Sequence, residues 1–289
     1  MVAGCALAGF DFGALFEDKT VYTEVRQAET LGAGDTVQII VDSEHIRLGL
    51  SDDAQAHVTY SDSAKRPHRY AYENGVLSLH ADSTSRKWYE WVDFSFAPAQ
   101  RVVEVLLPAG FHGTVEVTGA TGNIDAEGLA GLERLVLTMT TGDIRLSGCE
   151  AAEATLTTTT GRLLIANHRG GALHAACTSG ELRLDGLAGD TLTLRSISGS
   201  IALANAACDT VTASATTGSI WLDRLVANVI TLCVTTGDVT GTIACDPTAF
   251  TIDSATVTGE NNLGTVHFGG ERKLTVNTTT GNIQVTFVE

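Results

Sequence analysis

The sequence predicts an all-β protein: a single-chain parallel β-solenoid (a β-helix) of about 19–22 residues per coil, with an irregular β-rich N-terminal cap. Three observations predict it. The stretch TMTTGDIRLSG, Thr138 to Gly148, recurs as TTTTGRLLIAN, ACTSGELRLDG, RSISGSIALAN, SATTGSIWLDR and CVTTGDVTGTI. Its glycines, Gly122, Gly142, Gly161, Gly180, Gly199, Gly218, Gly237, Gly259 and Gly281, are spaced by 20, 19, 19, 19, 19, 19, 22 and 22 residues. Apolar residues alternate with polar ones on both sides of each glycine, which is the period of a strand with one buried face. The chain also has 30 glycines and 4 prolines and no long segment with apolar residues at helical spacing.

Residues 1–20 read as the remnant of a membrane-proximal segment. MVAGCALAGFDF is apolar but too short to span a bilayer, and no basic segment precedes it as in a signal peptide. Val2-Ala3-Gly4-Cys5 looks like a lipobox without its upstream apolar run. The preferred reading is the outer end of a transmembrane anchor that starts outside this sequence.

Residues 21–116 read as strand-rich without the strict period. DTVQIIV, HIRLGL and AHVTY alternate, and RYAYENGVLSLHA reads as a hairpin turning at Asn74-Gly75. KWYEWVDFSFA and RVVEVLLPAG follow. This part is expected to run on into the solenoid and cover the edge of its first coil. Trp88, Tyr89, Trp91, Phe94 and Phe96 read as the core of the cap.

Residues 117–289 read as the regular solenoid. Two residues after the glycine stand Ile144, Leu163, Leu182, Ile201, Ile220, Val239 and Ile283; five before it stand Leu137, Leu156, Ala175, Leu194, Ala213, Leu232 and Val276. Each repeat then supplies two short strands joined at a glycine corner, stacked about 4.8 Å from the next coil. Gly142, Gly161, Gly180, Gly199, Gly218, Gly237 and Gly281 are the structural turn residues, because glycine takes a positive φ without a Cβ clash. Gly128, Gly148, Asn167, Gly186 and Asn205 mark a second turn. Alternation also predicts that the hydroxyl residue just before the glycine, such as Thr217, points inward and satisfies a backbone group of the corner, whereas Thr216 points outward. The chain stops soon after its last motif glycine, so an unpaired final coil is expected to permit self-association.

The formal net charge of -16 argues against nucleic acid and against an anionic membrane surface. The 6 cysteines form no CxxC or zinc-type spacing and read as free thiols. No GxSxG or ordered Ser/His/Asp set occurs, and the 8 histidines occupy no repeated position. The chain is therefore read as a non-enzyme, with no catalytic residue, metal or cofactor. Outward acids and bases follow the glycines: Asp143, Arg145, Arg183 and Asp185 share one face, and their mixture could bind a sugar or calcium, although the calcium-binding nonapeptide GGxGxD is absent. Trp221 is expected to point outward on the same kind of strand, where an exposed indole anchors a partner.

The TTGDI-like repeat, the KWYE segment Lys87 to Glu90 and the GFDF start, Gly9 to Phe12, resemble the bacterial putative-adhesin family, a domain of unknown function. The resemblance covers nearly the whole chain. It implies an extracytoplasmic, cell-surface β-solenoid tethered by an N-terminal membrane helix, and it carries over no catalytic residue. The expected function is adhesion or scaffolding, with a glycan, a cell-wall polymer or a protein as partner. An extracytoplasmic envelope-stress sensor that binds a membrane partner is the alternative, and a carbohydrate-active enzyme is a further one.

Overall fold

The computed structural model describes residues 22–63, 66–81, 101–264 and 269–288. The GFDF and lipobox stretches, Cys5, the KWYE segment and the aromatic cluster from Trp88 to Phe96 lie outside these residues. The first strands are β1 (Thr23–Glu29), β2 (Thr36–Val41), β3 (His45–Leu50), β4 (Ala56–Asp62), β5 (His68–Glu73), β6 (Val76–Ala81) and β7 (Val102–Leu107). The solenoid follows with β8 (Thr114–Thr121), β9 (Ile124–Glu127), β10 (Leu132–Thr141), β11 (Ile144–Ser147), β12 (Glu150–Thr160), β13 (Leu163–Ala166) and β14 (Arg169–Ser179). It continues with β15 (Leu182–Ser198), β16 (Ile201–Thr217), β17 (Ile220–Thr236), β18 (Val239–Ala244), β19 (Phe250–Thr258), β20 (Arg272–Thr280) and β21 (Ile283–Val288).

The solenoid strands pair in parallel and in register, like residue on like. Ile144, Leu163, Leu182, Ile201, Ile220, Val239 and Ile283 stack in one inward column with no exposed surface. Burying each such side chain stabilises the fold by about 1.5–3 kcal/mol. The inward positions of one coil are Ile201 and Leu203, then Ala206, then Val211, Ala213 and Ala215. The alternation therefore slips twice per coil. The first slip is the second turn read from the sequence: Gly128, Gly148, Asn167, Gly186 and Asn205 all have positive φ, and Arg224 takes the same conformation. The second slip has no glycine common to all coils, although Gly131, Gly170 and Gly189 stand there in three of them; each coil therefore has a third short side that the two-strand reading did not separate.

At the main corner Gly142, Gly161, Gly180, Gly199, Gly218, Gly237 and Gly281 have φ between 138° and 152°. A Cβ on any of them would collide with the backbone carbonyl of the glycine stacked on it. The hydroxyl expectation fails here. Thr141, Thr160, Thr217 and Thr236 are exposed, as are their neighbours Thr159 and Thr216. The residue two before the glycine drops out of the parallel register, so the chain starts turning one residue earlier than strict alternation predicts. The carbonyl of the residue before the glycine accepts from the glycine N–H of the preceding coil, as from Gly142 to Thr160 at 2.8 Å. The buried hydroxyl stands three before the glycine instead: Thr158 donates to the Gly142 carbonyl at 3.1 Å.

Both ends depart from chain order. The β2–β3 coil lies on the β8–β9 coil, with β6 and β7 parallel beyond it; β5, β4 and β1 then add in antiparallel fashion. Asn74 and Gly75, both at positive φ, make the expected β5–β6 hairpin turn. At the other end β20 pairs with β17 on one side and with β19 on the other, and β21 pairs with β18. The last coil in sequence is thus not the last in space, which corrects the expectation of a bare C-terminal coil. On the free side of β21, Asn262 donates its N–H to the Ile283 carbonyl, and its side chain bonds Val285.

Candidate functional site

The outward face of one sheet carries Arg145, Arg183, Asp185 and Trp221, and Asp143 stands at the corner just before β11. In-register pairing sets one row across this face: Glu104 beside Arg47, Arg47 beside Asp125, then Arg145, Leu164, Arg183, Ala202 and Trp221. Strands in a sheet lie about 4.8 Å apart, so the six steps from Arg47 to Trp221 span about 29 Å.

At the N-terminal end of this row the surface forms a groove of about 800 Å³ lined by Arg47, Leu50, Glu104, Leu106, Asp125 and Glu127, among others. Gly49 deepens it, and Leu106 leans over the space a side chain would take, 3.3 Å from that position. A second hollow of about 540 Å³ continues across Arg47, Glu104 and Leu106 to Arg26, His57 and Thr59. There His57 Nε2 lies 2.9 Å and 3.0 Å from the two oxygens of Asp53. The Gln55 amide, the Ser51 hydroxyl and His57 together pull the Asp53 carboxyl down to about 2. Arg47 is exposed and Glu104 half-buried, and neither forms an ion pair with another described residue.

Farther along, the charges are tied to each other. Arg145 reaches Asp125 of the preceding coil at 3.3 Å and Asp143 at 3.1 Å. Arg162 reaches Asp143 at 2.6 Å, and His45 reaches Asp125 at 3.0 Å. Burial alone would raise the Asp143 carboxyl, but hydrogen bonds from the Arg162 side chain and amide, with the charges of Arg162 and Arg145, hold it below its ordinary value. A carboxylate held this way is a poor general base. Asp143 and Arg145 therefore act first as ties between coils. Asp185 accepts from the Asn205 side chain at 2.8 Å, whereas Arg183 is exposed and forms no ion pair among the described residues. Trp221 is 46% exposed, and its neighbours across the sheet, Ala202 and Thr240, are too short to cover the indole.

The five residues read from the sequence therefore do not converge on a point; they mark a track. Sequence reasoning missed Arg47 and Glu104, which end that track. Their outward direction was legible in the alternation of HIRLGL and RVVEVLL, but not the pairing of β3 with both β7 and β9. Among the described residues no group of three or more His, Cys, Asp or Glu side chains could hold a metal ion, and no helix is long and apolar enough to cross a membrane.

The profile of the Toastrack DUF4097 family matches residues 35–286. The chain belongs to this family. Two solved structures share the toastrack fold at low identity. One is a putative adhesin from Bacteroides fragilis, 13% identical, covering 91% of this chain and 97% of its own, with a TM-score of 0.51. The other is a putative lipid binding protein from Parabacteroides distasonis, 12% identical, covering 92% and 97%, with a TM-score of 0.54. A putative adhesin from Parabacteroides merdae is 10% identical, with coverages of 92% and 96% and a TM-score of 0.49. None of the curated proteins compared is similar to this chain.

Proposed function

We propose that this toastrack protein is a non-enzymatic, cell-surface adhesin or scaffold that binds an external glycan, cell-wall polymer or protein along the outward face from Arg47 to Trp221. One observation carries the reading: a single row of in-register strands joins a groove with an unpaired guanidinium and carboxylate to a free-standing indole. Asp143, which an enzyme reading would use, is held by two arginines. The adhesin description of the Bacteroides fragilis structure supports the same reading, because the fold is shared.

In this reading residues 1–20 are the tether, continuing an N-terminal membrane anchor that lies outside this sequence; residues 21–116 cap the solenoid of 117–289. Self-association at the C-terminal end of the solenoid belongs to the same proposal. The strand it would use is β19, the outermost one there among the described residues. The test is capture: tagged protein is offered a panel of glycans, wall polymers and matrix proteins beside the producing cells. Saturable binding to the panel, weakened by substitution along the face, supports an adhesin. Capture of only a membrane protein of the producing cell supports the sensor reading instead.

A further inference from the structure

We infer that the ligand of this face is a neutral, unbranched polysaccharide lying along the rod axis, gripped by vicinal hydroxyls between Arg47 and Glu104 and stacked on Trp221. The inference rests on the reading above and names its ligand class.

The charges of the groove select it. Asp125, the in-register neighbour of Arg47 on the side opposite Glu104, is tied to Arg145 at 3.3 Å, and Glu127 also lines the groove, so Arg47 stands among carboxylates. A polyanion would meet acid beside Arg47, which is the groove's one guanidinium without an ion pair among the described residues, on a chain of net charge -16. A polycation would meet Arg47 in the wall of the groove. A hydroxyl is both donor and acceptor, so neighbouring ring hydroxyls satisfy both groups: the guanidinium donates to one oxygen and the carboxylate accepts from the next O–H. Arg47 and Glu104 face each other in register on adjacent strands, about 4.8 Å apart at the backbone, which is within reach of two adjacent hydroxyls.

The apolar surface fits the same class. A pyranose ring presents hydroxyls at its edge and C–H groups on its face. In the groove Leu50, 42% exposed, and Leu106 offer apolar walls beside the charged pair. Trp221, 46% exposed, stands between the short side chains of Ala202 and Thr240 on the neighbouring strands. Its separation from Arg47 by about 29 Å makes it a second contact that only a long ligand reaches.

The experiment is calorimetric titration with oligomers of neutral glucans, xylans and mannans, from the disaccharide upward, and with alginate and chitosan oligomers, at low and high salt. Neutral oligomers of at least one series are expected to bind with an affinity that salt leaves unchanged. Affinity is expected to step up about tenfold at the length that reaches Trp221, and Trp221→Ala to remove that step while sparing the short oligomers. Arg47→Met and Glu104→Gln are expected to abolish binding of the short oligomers. The altered side chains lie on the surface, and unfolding curves confirm that each variant folds. Salt-screened binding of alginate or chitosan, lost in the same variants, overturns the neutral-glycan class and leaves the face standing. Binding that survives all three substitutions overturns the face itself. Failure of every neutral series to bind overturns the inference.

Discussion

The side-chain amide of Asn262 pairs with both backbone groups of Val285, accepting from its N–H at 3.0 Å and donating to its carbonyl at 2.9 Å. At Val285 one side chain thereby does the work of a neighbouring strand, next to Ile283, whose backbone groups bond the backbone of Glu260 and Asn262. Asn262→Ala is expected to lower stability by about 0.5–1.5 kcal/mol, since the freed groups can still reach water. Urea unfolding measures the loss. Asn262→Asp, which keeps only the acceptor, should fall between the two; equal stability of all three proteins would show that the edge needs no such cover.

The corner glycines separate two effects of a missing Cβ. Gly148 has φ near 60° with open space around it, so Gly148→Ala is expected to cost about 1–2 kcal/mol, from the left-handed backbone alone. Gly180 has φ near 144° and stacks on the Gly161 carbonyl, so Gly180→Ala adds a collision to a backbone conformation that is essentially glycine's own. The expected outcome is a loss several times larger, or failure to fold, read as melting temperature and soluble yield.

The buried hydroxyl of Thr158, bonded to the Gly142 carbonyl, gives a matched pair with the exposed Thr160. Thr158→Val is expected to cost about 1–2 kcal/mol, because the carbonyl loses a donor inside the corner. Thr160→Val should stay within about 0.5 kcal/mol of the parent. Chemical denaturation of the two variants decides between them, and a reversed order would restore the alternation rule at the corner.

His168 stands in the inward column between Cys149 and Leu187, only 3% exposed, and neither ring nitrogen has a hydrogen-bond partner. Burial pushes its pKa below the ordinary value, so the folded protein holds it neutral. The unfolded chain takes up a proton near pH 6.5. Its effect on stability is therefore absent above that pH and becomes a penalty as pH falls, of up to about 1.4 kcal/mol per unit until the folded ring also titrates. Melting curves from pH 7 to pH 5 should show this loss, and His168→Leu should flatten it. An unchanged slope in the variant would assign the acid sensitivity elsewhere.

How much could be read in advance depends on how far apart the interacting residues lie in sequence. The glycine period sets contacts about one coil apart, and the inward columns, both turns and the outward directions of Arg145, Arg183 and Trp221 follow from it. The corner hydroxyl was misjudged because alternation holds only while the chain stays in register, and it leaves register at the residue two before the glycine. Arg47 and Glu104 were missed for another reason. They are 57 residues apart, and no period links HIRLGL to RVVEVLL; only the antiparallel additions of β4 and β1 beyond β7 shape the hollow around them.

The placement of β20 between β17 and β19 has a consequence for synthesis on the ribosome. Coils from β8 to β18 can stack one by one as they emerge, each on the edge left by its predecessor. β19 emerges next but takes its place one strand-width away from β17, and the gap closes only when residues 272–288 have been made. At about 5–20 residues per second, that edge waits for roughly a second or more. A nascent rod is therefore unfinished at its growing tip until its final strands arrive, and a chain cut short before Arg272 would carry two unsealed strand edges facing one another.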